Sequence, residues 1–273
     1  MTANLYFIKC LTNLHVGSGD VNFNIIDEEI EKDPVTGYPT INASGVKGAL
    51  RQFFEENAPQ YTERLFGSAA KNSQREQNAS TPGSLKFLAA SLLARPARAS
   101  AGNNAYHMIS TKTALDQLRH MVFSLTGSTL YEIKGLQPEI DYMFSNTACE
   151  VEGYPVSTQL DMTNESNKQA NKYLKSCIGT NVLILSEDTW KKLPFPVIAR
   201  NYLENGESEN VWYEEYVPHE SVFWFMVLGS DSDLQTFHDT VNEKVIQFGG
   251  NSSVGYGLCF VKQGGIQDVK AEN

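Results

Sequence analysis

Ser44-Gly45-Val46-Lys47-Gly48-Ala49-Leu50-Arg51 opens the most strongly patterned segment of the chain. Val46, Ala49, Leu50, Phe53 and Phe54 fall at i, i+3, i+4, i+7 and i+8, the apolar stripe of an amphipathic helix. Ser44 stands where an N-cap belongs, so the spacing predicts a helix over 45–56. Lys47 and Arg51 lie four residues apart on one face of it. With the free N–H groups and partial positive charge of the helix N-terminus they form a corner suited to phosphate. The same pair also reads as the ordinary solvated face of a surface helix.

Upstream, the aromatic and branched run 5–11 (LYFIKCL) suits a buried first strand, which leads into the loop Leu14-His15-Val16-Gly17-Ser18-Gly19. A looser stretch follows, with the apolar patch 23–26 running into Asp27-Glu28-Glu29, and then turns at Asp33-Pro34, Thr36-Gly37 and Tyr38-Pro39. The acidic triplet reads either as a solvated turn or as an acid that positions a metal or a nucleophile. His15 has no neighbouring Ser or Cys motif that would make a triad.

Downstream, 71–83 is polar and lacks periodic apolar positions, which predicts a mobile surface insertion over about 67–83. Residues 85–93 resume a core-like pattern and 113–123 read as a helix. Residues 157–176 are again polar, predicting a projecting or flexible arm within about 144–181. Strands are expected at 181–185, 221–228 and 258–262, and a helix over 233–248. Between the last two lies Gly249-Gly250-Asn251-Ser252-Ser253-Val254-Gly255-Tyr256-Gly257, four glycines in nine residues. These glycines precede a strand, so the sequence is neither a P-loop nor a dinucleotide fingerprint. Their backbone amides suit a phosphodiester backbone, or the segment is simply a connector. Strands interleaved with helices without βαβ repeats predict an α+β fold.

Composition bounds the function. The 273 residues carry 22 Lys and Arg against 32 Asp and Glu, a net charge of −10, which argues against coating nucleic acid by bulk electrostatics. A hydrophobic fraction of 41% supports a sizeable core and excludes a disordered or fibrous chain. No signal peptide or transmembrane helix is predicted. Cys10, Cys149, Cys177 and Cys259 are scattered, without CxxC pairing, and read as reduced thiols of a cytoplasmic protein.

The order of these pieces carries more than any one of them. A strand at 5–11, His15-Val16-Gly17-Ser18-Gly19, Asp27, Gly37-Tyr38-Pro39-Thr40-Ile41 running into Ser44–Arg51, and the closing Gly249–Gly257 loop together resemble the RAMP superfamily of CRISPR-associated proteins. Pro82-Gly83-Ser84-Leu85-Lys86-Phe87 leading to Arg95-Pro96-Ala97-Arg98, and Val211-Trp212-Tyr213-Glu214-Glu215-Tyr216-Val217-Pro218, are similar to the repeated backbone subunit of the type III-B (Cmr) effector complex. The resemblance spans nearly the whole chain and is weakest over 67–82 and 157–176. Two positions depart from it: Ala89-Ala90 stand where the family has Asp-Ala, and Arg95 where it has a hydrophobic residue.

The resemblance implies one domain over 1–273 with an RRM-like (ferredoxin-like) palm, an inserted thumb hairpin, for which about 144–181 is the candidate, and a glycine-rich C-terminal loop. It implies a filament of several copies on one CRISPR RNA, together with other Cmr subunits and no membrane. A thumb from each copy would wedge into the guide–target duplex, and target single-stranded RNA would be cut at regular intervals with a divalent metal, Mg or Mn. By that resemblance Asp27 is the acid needed for cutting and a metal ligand, His15 and Glu215 support it, and Lys47, Arg51, Arg98, Gly249, Gly250, Asn251, Ser252, Gly255 and Gly257 hold RNA. The alternative is a guide-binding RAMP subunit that does not cut.

Overall fold

The structure is a computed structural model that describes residues 2–17, 26–68, 81–145, 147–205 and 207–265. In chain order the elements are β1 (Thr2–Cys10), β2 (Thr40–Ile41), α1 (Ala43–Asn57), α2 (Pro59–Phe66), β3 (Lys86–Phe87), β4 (Ala90–Ala101), β5 (Tyr106–Thr111) and α3 (Lys112–Thr126). They continue with β6 (Tyr142–Met143), β7 (Cys149–Val151), β8 (Tyr154–Val156), β9 (Thr158–Gln159), α4 (Glu165–Ile178), β10 (Val182–Leu185) and α5 (Glu187–Lys191). The last are β11 (Val197–Glu204), β12 (Glu207–Glu215), β13 (Val222–Gly229), α6 (Asp231–Val241), β14 (Lys244–Gln247) and β15 (Leu258–Gln263).

Most strands join one mixed sheet in the order β14-β15-β1-β13-β4-β5-β10-β6-β9. β1 lies inside it, antiparallel to β13 on one edge (Tyr6 opposite Phe225, Phe7 opposite Trp224) and to β15 on the other (Ile8 opposite Val261). Because side chains alternate across a strand, β1 feeds two cores at once. Tyr6, Ile8 and Cys10 join Phe223 and Phe225 on one face, where α1, α2 and α6 contribute Phe54, Phe66 and Phe237. The rings there pack edge-on or offset, with centroids 5.0 Å apart for Phe54–Phe66 and 5.3 Å for Tyr6–Phe237. Leu5 and Phe7 join Trp224 and Met226 on the other face, covered by Leu118 and Val122 of α3 and Leu174 and Ile178 of α4. The expected α+β class is therefore realised as helices on both faces of a largely antiparallel sheet.

The predicted helix over 45–56 is α1, with Val46, Leu50 and Phe54 buried. The position expected of Ser44 belongs to Asn42, which caps without a side-chain hydrogen bond, so Ser44 sits one residue inside the helix.

Two segments depart further from expectation. The polar stretch 157–176, expected as an arm, contains α4: Asn164 caps it by accepting from the backbone amides of Ser166 and Asn167, and Ala170, Leu174 and Ile178 are buried, with part-buried Tyr173 and Cys177 beside them. Burying Leu174 and Ile178 contributes about 1.5–3 kcal/mol each, enough to hold the helix on the body. The helix expected over 233–248 stops at Val241, because Glu243 takes a left-handed φ of +59°, and the remainder becomes edge strand β14.

What leaves the body is the pair β11–β12, a separate two-stranded antiparallel sheet in which Arg200 faces Trp212 and Tyr202 faces Asn210. Ile198, Tyr202, Val211 and Tyr213 are exposed on it. The interior of the expected insertion, 69–80, lies outside the described residues; its ends are tied by the Ser68 amide donating to the Thr81 carbonyl at 3.0 Å.

Candidate functional site

Residues 26–33 run beside the base of the β11–β12 hairpin. The amides of Asp27 and Glu28 both donate to the Tyr213 carbonyl (3.1 Å each), the Tyr213 amide donates to Asp27 Oδ2 at 2.8 Å, and the Glu215 amide donates to the Glu28 carbonyl at 2.9 Å. The strip thus behaves as a short extra strand laid along β12. Asp27 and Glu28 are exposed; Ile30 is buried. Asp27 keeps one carboxylate oxygen on the Tyr213 amide and presents the group at the surface where the hairpin leaves the body.

The carboxylates of the facing strand are turned inward. Glu214 is 1% exposed and accepts from Arg200 Nε at 2.5 Å, Arg200 Nη2 at 3.1 Å and Asn251 Nδ2 at 2.8 Å. His15 Nδ1 stands 3.7 Å from its Oε1. The Arg200 guanidinium also lies over the Tyr256 ring, 4.9 Å from its centroid, and its hydrogen bond to Glu214 holds its pKa above the usual value. Glu215, equally buried, accepts from Lys32 Nζ at 2.8 Å and from the Ile30 amide at 3.3 Å. One strand therefore anchors the acidic strip through Glu215 and the glycine loop through Glu214.

His15 is buried as well. Its Nδ1 is 2.8 Å from the Glu215 carbonyl and its Nε2 is 4.0 Å from Glu28 Oε2. Its own carbonyl accepts from the Gly250 amide at 2.9 Å, which docks the C-terminal glycine loop on the N-terminal loop. Gly249, at φ +70°, allows this approach: a Cβ there would stand 2.3 Å from that carbonyl oxygen. Gly257, at φ +76°, donates to the Asn13 carbonyl at 2.7 Å, and the Gly255 amide donates to Ser252 at 3.0 Å. The amides of Gly250, Gly255 and Gly257 are thus used inside the protein. Ser252 is exposed at the start of a short 3-10 turn, and Asn251, at φ +59°, spends its side-chain amide on Glu214.

The remaining predicted RNA contacts are dispersed. Arg51 donates to Glu55 and, at 2.8 Å, to the Gly67 carbonyl, bracing the start of the 67–83 segment. Lys47 on the same face is half-buried and forms no ion pair among the described residues. Arg98 is 76% exposed near the end of β4, pairs with Glu152 at 3.5 Å, and lines a different cleft from the one beside Asp27. The structure brings together Asp27, His15, Glu215 and the glycine loop, commits Arg51 to Glu55 and Gly67, and places Arg98 in another cleft.

Arg200 and Lys32 carry no sequence signal of their own. The Trp212–Tyr216 run pointed to Glu214; nothing local marked Arg200, whose role arises from its register opposite Trp212. Among the described residues no group of three or more His, Cys, Asp or Glu side chains is close enough to hold a metal on its own, and no helix is long and apolar enough to cross a membrane.

Residues 7–260 match the family model of the RAMP superfamily. The chain is 25% identical to the CRISPR system Cmr endoribonuclease Cmr4 of Pyrococcus furiosus, over 96% of this chain and 95% of the relative. It is 26% identical to the CRISPR system CMR subunit Cmr4 of Saccharolobus solfataricus, over 93% and 94%. Its fold matches a chain of the type III-B Cmr-beta complex bound to cognate target RNA, with a TM-score of 0.76, 21% identity and coverage of 96% and 97%. It also matches oligomeric Cmr4 from Pyrococcus furiosus, at 0.71, 20% identity and coverage of 98% and 99%. With its family model matched from the first strand to the last, the chain belongs to the RAMP superfamily.

Proposed function

We propose that this chain is the guide-binding backbone subunit of a cytoplasmic type III-B antiviral effector complex, and that it cuts target RNA. Copies stack along one CRISPR RNA beside other Cmr subunits, and each cuts the complementary strand once. The relatives named Cmr4, one of them an endoribonuclease, support the reading. The observation that carries it is the exposed Asp27 carboxylate at the base of the β11–β12 hairpin. The hairpin, rather than the 144–181 segment, is the thumb that enters the guide–target duplex: its exposed Tyr202 and Val211 offer flat and branched surfaces to unstacked bases. The palm is the sheet around β1, β13 and β4, in RRM-like arrangement.

The reaction is attack of a ribose 2′-oxygen on the adjacent phosphorus, with the P–O5′ bond breaking. The products are a 2′,3′-cyclic phosphate and a 5′-hydroxyl, the 2′-hydroxyl proton leaving and the 5′-oxygen gaining one. Splaying the nucleotide at the hairpin base supplies in-line geometry. Asp27 accepts the hydrogen bond of the 2′-hydroxyl, its own orientation set by the Tyr213 amide. His15 and Glu215 are buried and committed to partners, so they act as positioning residues for the Asp27 strip. A divalent ion, Mg or Mn, would be held by Asp27 with RNA oxygens and water completing its shell, and would neutralise phosphate charge there.

Lys47, Arg98 and Ser252 contact the guide backbone, and Gly249, Gly250, Asn251, Gly255 and Gly257 shape the loop that presents Ser252. Asp27→Asn in a reconstituted complex tests the assignment: cutting is lost while assembly and target binding persist. Undiminished cutting at every position would instead favour a guide-binding subunit without nuclease activity.

A further inference from the structure

On the other side of the hairpin base, between β4–β5 and the segments 192–196 and 218–220, lies a cleft of about 600 Å³ that the proposed reaction does not use. Arg95 lines it. This residue is 3% exposed, yet it forms no ion pair among the described residues. Its guanidinium is sandwiched between Trp190 and Phe195, 4.9 and 4.4 Å from the ring centroids. One Nη2 hydrogen bond reaches the Leu193 carbonyl at 2.5 Å, while Nε is buried with no partner. Burial lowers its pKa to about 10, and the fields of Glu152 and Glu215 oppose that shift, so the group is cationic at neutral pH.

A buried charge without a counterion is costly, and a site that retains one is complete only when an anion arrives. Lys192 is matched with Asp188 and Glu220 with Lys9, while Arg98, 76% exposed, meets Glu152 only at 3.5 Å and keeps guanidinium N–H groups for an anion. The walls carry the aromatic rings of Phe195, Tyr154 and Tyr106.

We propose that this cleft binds one 5′-nucleotide unit of RNA, the phosphate on Arg95 and the rim guanidinium of Arg98, the base against Phe195 and Tyr154. The choice of RNA as the source of the nucleotide rests on the proposed function; the anion site itself does not. Cation and ring surfaces side by side are what a phosphate carrying a π-face requires, and the volume exceeds what inorganic phosphate fills.

The test is calorimetric titration of the full chain with uridine 5′-monophosphate, uridine and inorganic phosphate. Uridine 5′-monophosphate binds at least about tenfold more tightly than either fragment. Arg95→Leu weakens it by about tenfold or more, with the fold checked by circular dichroism. Arg98→Ala and Phe195→Leu, both nearer the surface, weaken it less, and Lys168→Ala on α4 leaves it unchanged. Absence of binding at millimolar nucleotide, equal binding of phosphate alone or uridine alone, or wild-type affinity in both Arg95→Leu and Arg98→Ala overturns the proposal. Cutting by the assembled complex, scored with Asp27→Asn, reads the proposed function separately.

Discussion

Two strips of acidic side chains lie side by side at the base of the hairpin, and their composition and spacing give no reason to treat them differently. Asp27-Glu28 and Glu214-Glu215 are adjacent pairs of carboxylates joined through the same backbone ladder. In the first both side chains face water; in the second both are buried and fully engaged with Arg200, Asn251, Lys32 and the Ile30 amide. Chemistry needs a carboxylate whose lone pairs are free to meet a substrate, whereas architecture needs one whose lone pairs are spent. Under the proposed function the contrast gives reaction to the first strip and support to the second.

The sharpest way to break this division is Glu214→Ala. Removing a carboxylate that is 1% exposed leaves Arg200 and Asn251 without their acceptor and costs about 3–5 kcal/mol in urea unfolding. A wild-type midpoint would mean that the inner strip is not structural. Asp27→Asn comes next: cutting falls on the order of 10²-fold or more, equivalent to about 2.7 kcal/mol in the barrier, with the melting temperature little changed because the amide oxygen still accepts from Tyr213. Glu28→Gln in the same assay changes the rate by less than about threefold; a larger loss would move the key acid by one residue.

Gly249→Ala tests the joint between the strips and the glycine loop. A Cβ 2.3 Å from the His15 carbonyl at φ +70° costs about 1–3 kcal/mol in thermal unfolding and weakens guide-RNA binding in the same variant. Lys32→Ala is the mildest. It opens the half-exposed side of the Glu215 pair and costs about 1 kcal/mol by urea titration, without changing the cutting rate of the folded complex.

What the sequence disclosed follows the same physical line. Elements with a broad apolar face were visible: α1 within two residues at its start, α3, β10, β13 and β15. α4 was hidden by its polar composition: it opens with Glu, Ser, Asn, Lys and Gln, and the inward pattern of Ala170, Tyr173, Leu174, Cys177 and Ile178 is carried only by its last nine residues. β14 was absorbed into the preceding helix because the break depends on one residue, Glu243, adopting a left-handed backbone that residue type does not advertise. At the site, Asp27, His15 and the glycine loop were found by the order of short motifs. The roles within it were not, because inward and outward are decided by the pairing of residues 186 apart in sequence, as Asp27 and Tyr213 are. The same limit applies to Arg98, which shares basic character with Lys47 but not its location.

The position of β1 has a consequence for how the protein is made. It is synthesised well before both of its sheet neighbours, β13 and β15, which begin at residues 222 and 258. At ribosomal rates of about 5–20 residues per second, β1 spends on the order of 10–40 seconds with both hydrogen-bonding edges open and its aromatic run unburied. The sheet around β1 therefore closes by pairings more than two hundred residues apart in sequence rather than by any local step.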